Sequence, residues 1–211
     1  MQQGSPEWHA VRCGKVTASR VHDIVAVTRS GGYTAGRKNY LTELVWERLT
    51  GEPAEQYVTA AMAHGSEMEP QARFAYALER GVEVVEVGFI EHPTIPLVGA
   101  SPDGLVGADG LIEIKVPNGA QHLDMLLGDK IEPKYITQMQ AQMMCTGRAW
   151  VDFVSYHHNL KLPSKMQLNI RRVERDAVMI TKMELEITQF LIDLDATVDL
   201  LRKRYMQDQA A

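Results

Sequence analysis

The spacing of hydrophobic positions changes along this chain, and each change marks an element. From Asp176 onward Met183, Ile187, Phe190, Leu194, Val198 and Leu201 recur at three- and four-residue steps. That stripe predicts one long helix, buried on the sheet or on a neighbouring subunit. Leu41, Leu44, Val45 and Leu49 predict a second helix over 38–50, stopped by Gly51. Ser5-Pro6-Glu7 combines a capping residue, a proline at the first helical position and an acid at the positive helix end, so a helix starts there and ends near Gly14. Thr17 is placed to cap a short helix carrying Val21, Ile24 and Val25. Thr28 to Arg37, with Ser30-Gly31-Gly32, has no period and predicts a mobile loop. Ser66 and Glu69 have capping-box spacing at the start of a helix that runs to Arg80 and stops at Gly81. Pro133 opens another helix through Cys145, closed by Gly147; its Gln138 and Gln142 are four apart and share a face.

Between these helices lie apolar runs of strand length: Val82 to Phe89, Leu97 to Ala100, Leu111 to Val116, Val151 to Tyr156 and Met166 to Val173. Pro117 to Ile131 reads as a connector with one helical turn. Strands concentrated in the middle, with helices before, between and after, predict an α/β or α+β fold: a mixed central sheet flanked by helices, in a single domain over 1–211.

Composition narrows the class. The hydrophobic fraction, 45%, is that of an ordinary globular protein, and no apolar run approaches the ~20 residues of a membrane helix. The first residues lack the basic and apolar regions of a signal peptide, which predicts a cytoplasmic protein with no membrane partner. Cys13 and Cys145 are too few for a disulfide framework or a four-cysteine cluster. A net charge of −5 does not advertise a nucleic-acid binder, but basic residues lining one channel are compatible with it.

The candidate chemistry sits between Ser101 and Val116. Pro102-Asp103-Gly104 places a carboxylate at a turn, and Asp109-Gly110 is a strong hairpin dipeptide. On the strand that follows, Glu113 and Lys115 share one face while Ile112, Ile114 and Val116 share the other. If the hairpin forms, Asp103 lies near Glu113, and two carboxylates and a lysine converge on a site for a hard cation with a lysine beside the attacking water. The same residues also fit a plain surface hairpin with an exposed Glu113–Lys115 pair. Pro-Asp followed by Glu-x-Lys resembles the PD-(D/E)xK nuclease superfamily and its restriction-endonuclease-like core.

Five blocks in order make the resemblance narrower. The run from Trp8 to Ser19, the stretch His64 to Glu69, Ser101 to Gly104, Glu113 to Pro117 and Tyr135 to Gln140 together resemble the lambda exonuclease family of phage recombination nucleases. The resemblance implies a Mg2+-dependent, processive exonuclease that digests the 5′-ended strand of double-stranded DNA and leaves a 3′ overhang. It also implies a homotrimeric ring around the DNA and a single-strand-annealing protein as partner. Glu69, Asp103, Glu113 and the backbone carbonyl of Ile114 would then hold two Mg2+ ions, for which Mn2+ can substitute. Lys115 would orient or deprotonate the water, or stabilise developing charge. Arg12, Ser19, Ser101 and Gln138 match positions that hold a terminal 5′ phosphate. Arg29 matches an arginine inserted into DNA, and Met62 an apolar wedge that unstacks the terminal pair.

Bland roles stand beside these: Ser19 as helix support, Gln138 as a solvated amide, Glu69 as half of a capping box, Arg29 as a loop charge and Met62 as a core residue. His157 and His158 lack a third ligand at a useful spacing and are expected to be solvated. His64 stands where the family often has an aromatic residue. Two further readings stay open, a different PD-(D/E)xK endonuclease and a non-catalytic DNA-binding domain of the same fold.

Overall fold

The computed structural model describes residues 1–54, 59–128, 130–159 and 161–205; positions 55–58, 129, 160 and 206–211, which the expected domain includes, lie outside it. In chain order the elements are α1 (Pro6–Arg12), β1 (Val16–Thr17), a 3-10 turn (Ala18–Arg20), α2 (Val21–Val25), α3 (Ala35–Thr50) and α4 (Ala60–Arg80). Then come β2 (Val84–Val85), β3 (Ile90–Glu91), β4 (Val98–Ala100), β5 (Gly104–Val106) and β6 (Gly110–Lys115). The chain continues through α5 (Gly119–Leu127), α6 (Pro133–Thr146), β7 (Trp150–Tyr156), α7 (Ser164–Gln167), β8 (Leu168–Glu174) and α8 (Ala177–Tyr205).

The main sheet has five strands in the order β2-β5-β6-β7-β8. Only β6 and β7 in it run parallel, so the sheet is mixed, as expected. A smaller sheet, β1-β4-β3, was not anticipated: β1 covers the residues just before the predicted short helix. Helices cover both faces of the main sheet. On one face Met68, Ala72 and Tyr76 of α4 pack on Ile112, Ile114 and Val154. On the other, Leu111 and Phe153 meet α6 and the α2, α3 and α8 layer. The apolar stripe of α8 is therefore consumed within its own chain, where Phe190 stacks on Tyr40 at 5.7 Å.

Several boundaries differ from the sequence expectations, some because of a local cap and some because of long-range contacts. Helix α4 is capped by Thr59, whose side chain accepts from Met62 N, so Ser66 and Glu69 lie inside the helix and form no capping box. The run from Val82 to Phe89 forms only a two-residue strand. There the Gln3 side chain takes the Val87 carbonyl, and Gly88 lies against the Met1 backbone, so the N-terminal segment stands where a sheet neighbour would. The expected loop from Thr28 to Arg37 is shorter: Val27 and Tyr33 bridge around a turn, and α3 already includes Arg37. Arg37 is buried, donating to the Ile24 carbonyl and pairing with Glu186 and Asp193 of α8. Pro117 to Ile131 contains more than one helical turn, because Asn118 caps α5 through Gln121 N. His122 on α5 is buried between Ser155 and the Met166 carbonyl; the carbonyl can only accept, so Nε2 carries the proton. His157 is half-buried beside His122 rather than fully solvated, while His158 is exposed.

Candidate active site

The β5–β6 hairpin forms as the Asp109-Gly110 dipeptide predicts, with Gly104 opposite Ile112. This register carries Asp103 to the level of Ile112 and Ile114. Its own N–H donates to the Ile112 carbonyl at 3.2 Å, and its Oδ2 accepts from Ile114 N at 2.6 Å. Arg73, one turn beyond Glu69 on α4, donates to the Asp103 carbonyl at 3.0 Å and pairs with the Glu69 carboxylate. The arginine thus ties the helix carrying Glu69 to the turn carrying Asp103.

Glu113 is buried on the face of β6 that looks at α6. Its Oε1 accepts from Lys115 Nζ at 2.5 Å and from Gln138 Nε2 at 2.7 Å, and its Oε2 accepts from Gln142 Nε2 at 2.5 Å. The Lys115 ammonium also lies 5.0 Å from the centre of the Tyr135 ring. Burial by itself would lower the Lys115 pKa, yet the Glu113 and Asp103 carboxylates outweigh it and raise it above the usual lysine value. Burial, and then the charges of Glu113 and Glu69, push the Asp103 carboxyl well above the usual range. Burial raises Glu69 too, against the opposing charge of Arg73.

Glu69, Asp103, Glu113, Ile114 and Lys115 line one cleft of about 690 Å3. Arg12, Ser19, Ser101 and Gln138 line the same cleft, so the sequence-predicted metal and phosphate residues are brought together. The Arg12 guanidinium lies over the Trp8 ring, 3.7 Å from its centre, and reaches Ser101 Oγ at 3.5 Å. Trp8 Nε1 donates to the same oxygen at 2.9 Å, which leaves the Ser101 O–H free to donate into the cleft. Burial pushes the Arg12 pKa down to about 10, which still leaves it charged at neutral pH. Ser19 shares a hydrogen bond with Thr17 at 3.4 Å. The Gln138 amide is engaged with Glu113 rather than solvated. Met62 is exposed in the first turn of α4 at the cleft edge, not in the core. Arg29 is exposed on the turn before α3 and does not line the cleft. Lys130, Lys134 and Arg171 line it as well, so basic groups collect there in a chain of net charge −5.

Sequence reasoning missed Gln142, Arg73 and Trp8 as parts of this site. The four-residue spacing of Gln138 and Gln142 was the available signal; their shared target, Glu113, is a long-range contact.

Among the described residues, no three His, Cys, Asp or Glu side chains stand ready-grouped around a metal position. Arg73 engages Glu69, while Lys115 and two amides engage Glu113. The donor chemistry nevertheless fits a hard divalent cation: Glu69, Asp103, Glu113 and the Ile114 carbonyl offer only oxygens. Beyond burial, the charge of Glu113 raises both Asp103 and Glu69, a repulsion that a cation reverses.

A mixed sheet with an acidic hairpin, a helix-borne glutamate and an adjoining lysine defines a nuclease fold of the PD-(D/E)xK type. Residues 7–149 match the YqaJ-like viral recombinase domain, and the chain belongs to that lambda exonuclease-like family. It is similar to an alkaline exonuclease, LHK-Exo, from Laribacter hongkongensis, at 49% identity and a TM-score of 0.87, covering 96% of this chain and 99% of that one. The same relative in complex with dAMP aligns at 48% identity and a TM-score of 0.87, over 96% of this chain and 99% of that one. A phage-related exonuclease from Haemophilus somnus 129PT, 19% identical with a TM-score of 0.67 over 89% of this chain and 96% of that one, shares the fold. A comparison with curated protein sequences finds no match. Among the described residues no helix is long and apolar enough to cross a membrane.

Proposed function

We propose that this chain is a single-domain DNA exonuclease that hydrolyses the 5′-ended strand of double-stranded DNA in the presence of Mg2+ and leaves a 3′ overhang. The observation that carries this reading is the shared cleft, in which Asp103, Glu113 and Lys115 lie alongside Arg12 and Ser101. Arg12 and the Ser101 hydroxyl are suited to a terminal phosphate, the first as a charged fork and the second as a neutral donor. The relative solved with dAMP, a deoxynucleoside monophosphate of the kind such an enzyme releases, supports the exonuclease reading. Two Mg2+ ions held by Glu69, Asp103, Glu113 and the Ile114 carbonyl would supply an activated water and stabilise the leaving oxygen, with Mn2+ able to substitute. Lys115 orients the water and places its ammonium where charge develops. Met62 stands at the cleft edge as the wedge against the terminal base pair, and Arg29 contacts the duplex ahead of the cleft.

Incubation with Mg2+ and a linear duplex carrying one 5′ phosphate is expected to remove the 5′-ended strand progressively, spare the complementary strand and leave a closed circle intact. Cutting of the circle would convert the reading to an endonuclease; no cleavage with Mg2+ or Mn2+ would leave a DNA-binding domain. A three-subunit ring and a single-strand-annealing partner belong to the same proposal. Exposed apolar residues on two separate helices support the ring: Phe74 and Leu78 on α4, and Val178, Leu185 and Ile192 at seven-residue steps on α8. Light scattering is expected to return the mass of three chains, and a monomer mass would remove the ring without touching the chemistry.

A further inference from the structure

We propose that Gln142 of α6 is a positioning residue that presents Glu113 to the divalent cation, an inference that rests on the metal-dependent reading above. The donors on Glu113 fall into two kinds. Lys115 and Gln138, which hold Oε1, both line the open cleft and are free to exchange that oxygen for an incoming ligand. Gln142, which holds Oε2, is 1% exposed and does not line the cleft. Its amide keeps Oε2 turned toward α6 and leaves Oε1 facing the cleft, even after Gln138 and Lys115 have changed partners.

The packing around Gln142 points the same way. Met139, Ala141 and Met143 beside it are buried and apolar, and a methionine at 142 would occupy similar volume. The Gln142 Oε1 is buried and has no hydrogen-bond partner among the described residues, so as a packing element the amide is inferior to its apolar isostere. What the glutamine has and a methionine lacks is a strong hydrogen-bond donor, and its amide nitrogen donates to Glu113. Partners behind a metal ligand typically change metal affinity or activity 10- to 100-fold when removed.

The test uses the full chain. Mn2+ is titrated calorimetrically into wild type and Gln142→Met without DNA, and kcat and KM are then measured on a 5′-phosphorylated linear duplex. Gln142→Met is expected to bind Mn2+ about tenfold more weakly and to lose about tenfold in kcat, with KM for DNA unchanged. Gln142→Asn keeps the donor one methylene short; it is expected to fall between the two and takes the place of the methionine variant if that one does not fold. Met143→Ala, which disturbs the same layer without touching Glu113, is expected to keep wild-type Mn2+ affinity. Unchanged Mn2+ affinity in Gln142→Met, or an equal loss in Met143→Ala, overturns the assignment. A wild type that binds Mn2+ but leaves DNA uncut removes the exonuclease reading, while the Mn2+ comparison still decides the role of Gln142. A wild type that takes up no Mn2+ removes both.

Discussion

Asp103→Asn is expected to lower hydrolysis of linear duplex DNA by ~10^3-fold or more, equivalent to about 4 kcal/mol of transition-state stabilisation, with the fold intact. The substitution keeps the shape of the side chain and an oxygen able to accept from Ile114 N, so the hairpin contact survives. It removes the charge. In a site where burial and the charges of Glu113 and Glu69 already disfavour an ionised Asp103, a neutral amide is no burden to the apo fold, and thermal unfolding should occur at the wild-type temperature or slightly above it. The loss is confined to the state that needs a cation, because a neutral amide is a poor replacement for a carboxylate in an oxygen site for Mg2+. Lys115→Ala should abolish cleavage to a similar extent for a different reason: Glu113 keeps its two amide donors, but the ammonium beside the reacting phosphate is gone. Initial rates at saturating Mg2+ and circular-dichroism melts check both variants, and normal turnover by either would remove the proposed mechanism.

How far the sequence reveals this site depends on the range of the contacts. The hairpin is local, so Asp109-Gly110, the alternation of β6 and the proximity of Asp103 to it could all be read from neighbouring residues. The stop signals Gly51, Gly81 and Gly147 were legible for the same reason, and all three adopt the left-handed conformation that favours glycine. The capping-box reading of Glu69 failed because Ser-x-x-Glu spacing also occurs inside a helix, and the true cap, Thr59, precedes an alanine-rich turn without apolar period. With that box gone, Glu69 is free of a backbone duty and turns to Arg73 and the cleft. Arg37 looked like the end of a loop, since nothing local says that Glu186 and Asp193 will reach it from a helix about 150 residues later. Gln142 was visible as a position on a helix face; only the docking of α6 on the sheet discloses that its target is a buried carboxylate.

The second large effect is a change in preference as well as in rate. Arg12→Ala is expected to cut digestion of 5′-phosphorylated ends about 100-fold and of 5′-hydroxyl ends only a few-fold, since a charge-assisted hydrogen bond contributes ~1.5–3 kcal/mol. The guanidinium is partly buried and pinned over Trp8, so it meets a terminal phosphate with little further loss of side-chain freedom. Burial lowers its pKa only to about 10, so the cation persists across neutral pH and the preference for phosphorylated ends should not fade between pH 7 and 8. Removing the side chain does not release the helix, because Ser5 still caps α1 and Trp8 Nε1 still donates to Ser101. Arg12→Lys should recover only part of the loss: the ammonium restores the charge but neither the planar fork nor the stack on the indole. The measurement is a pair of rates on otherwise identical duplexes, one phosphorylated and one not. An equal loss on both would mean that Arg12 acts through the backbone of the duplex or through the fold of α1, and the terminal-phosphate pocket would have to be sought elsewhere in the cleft.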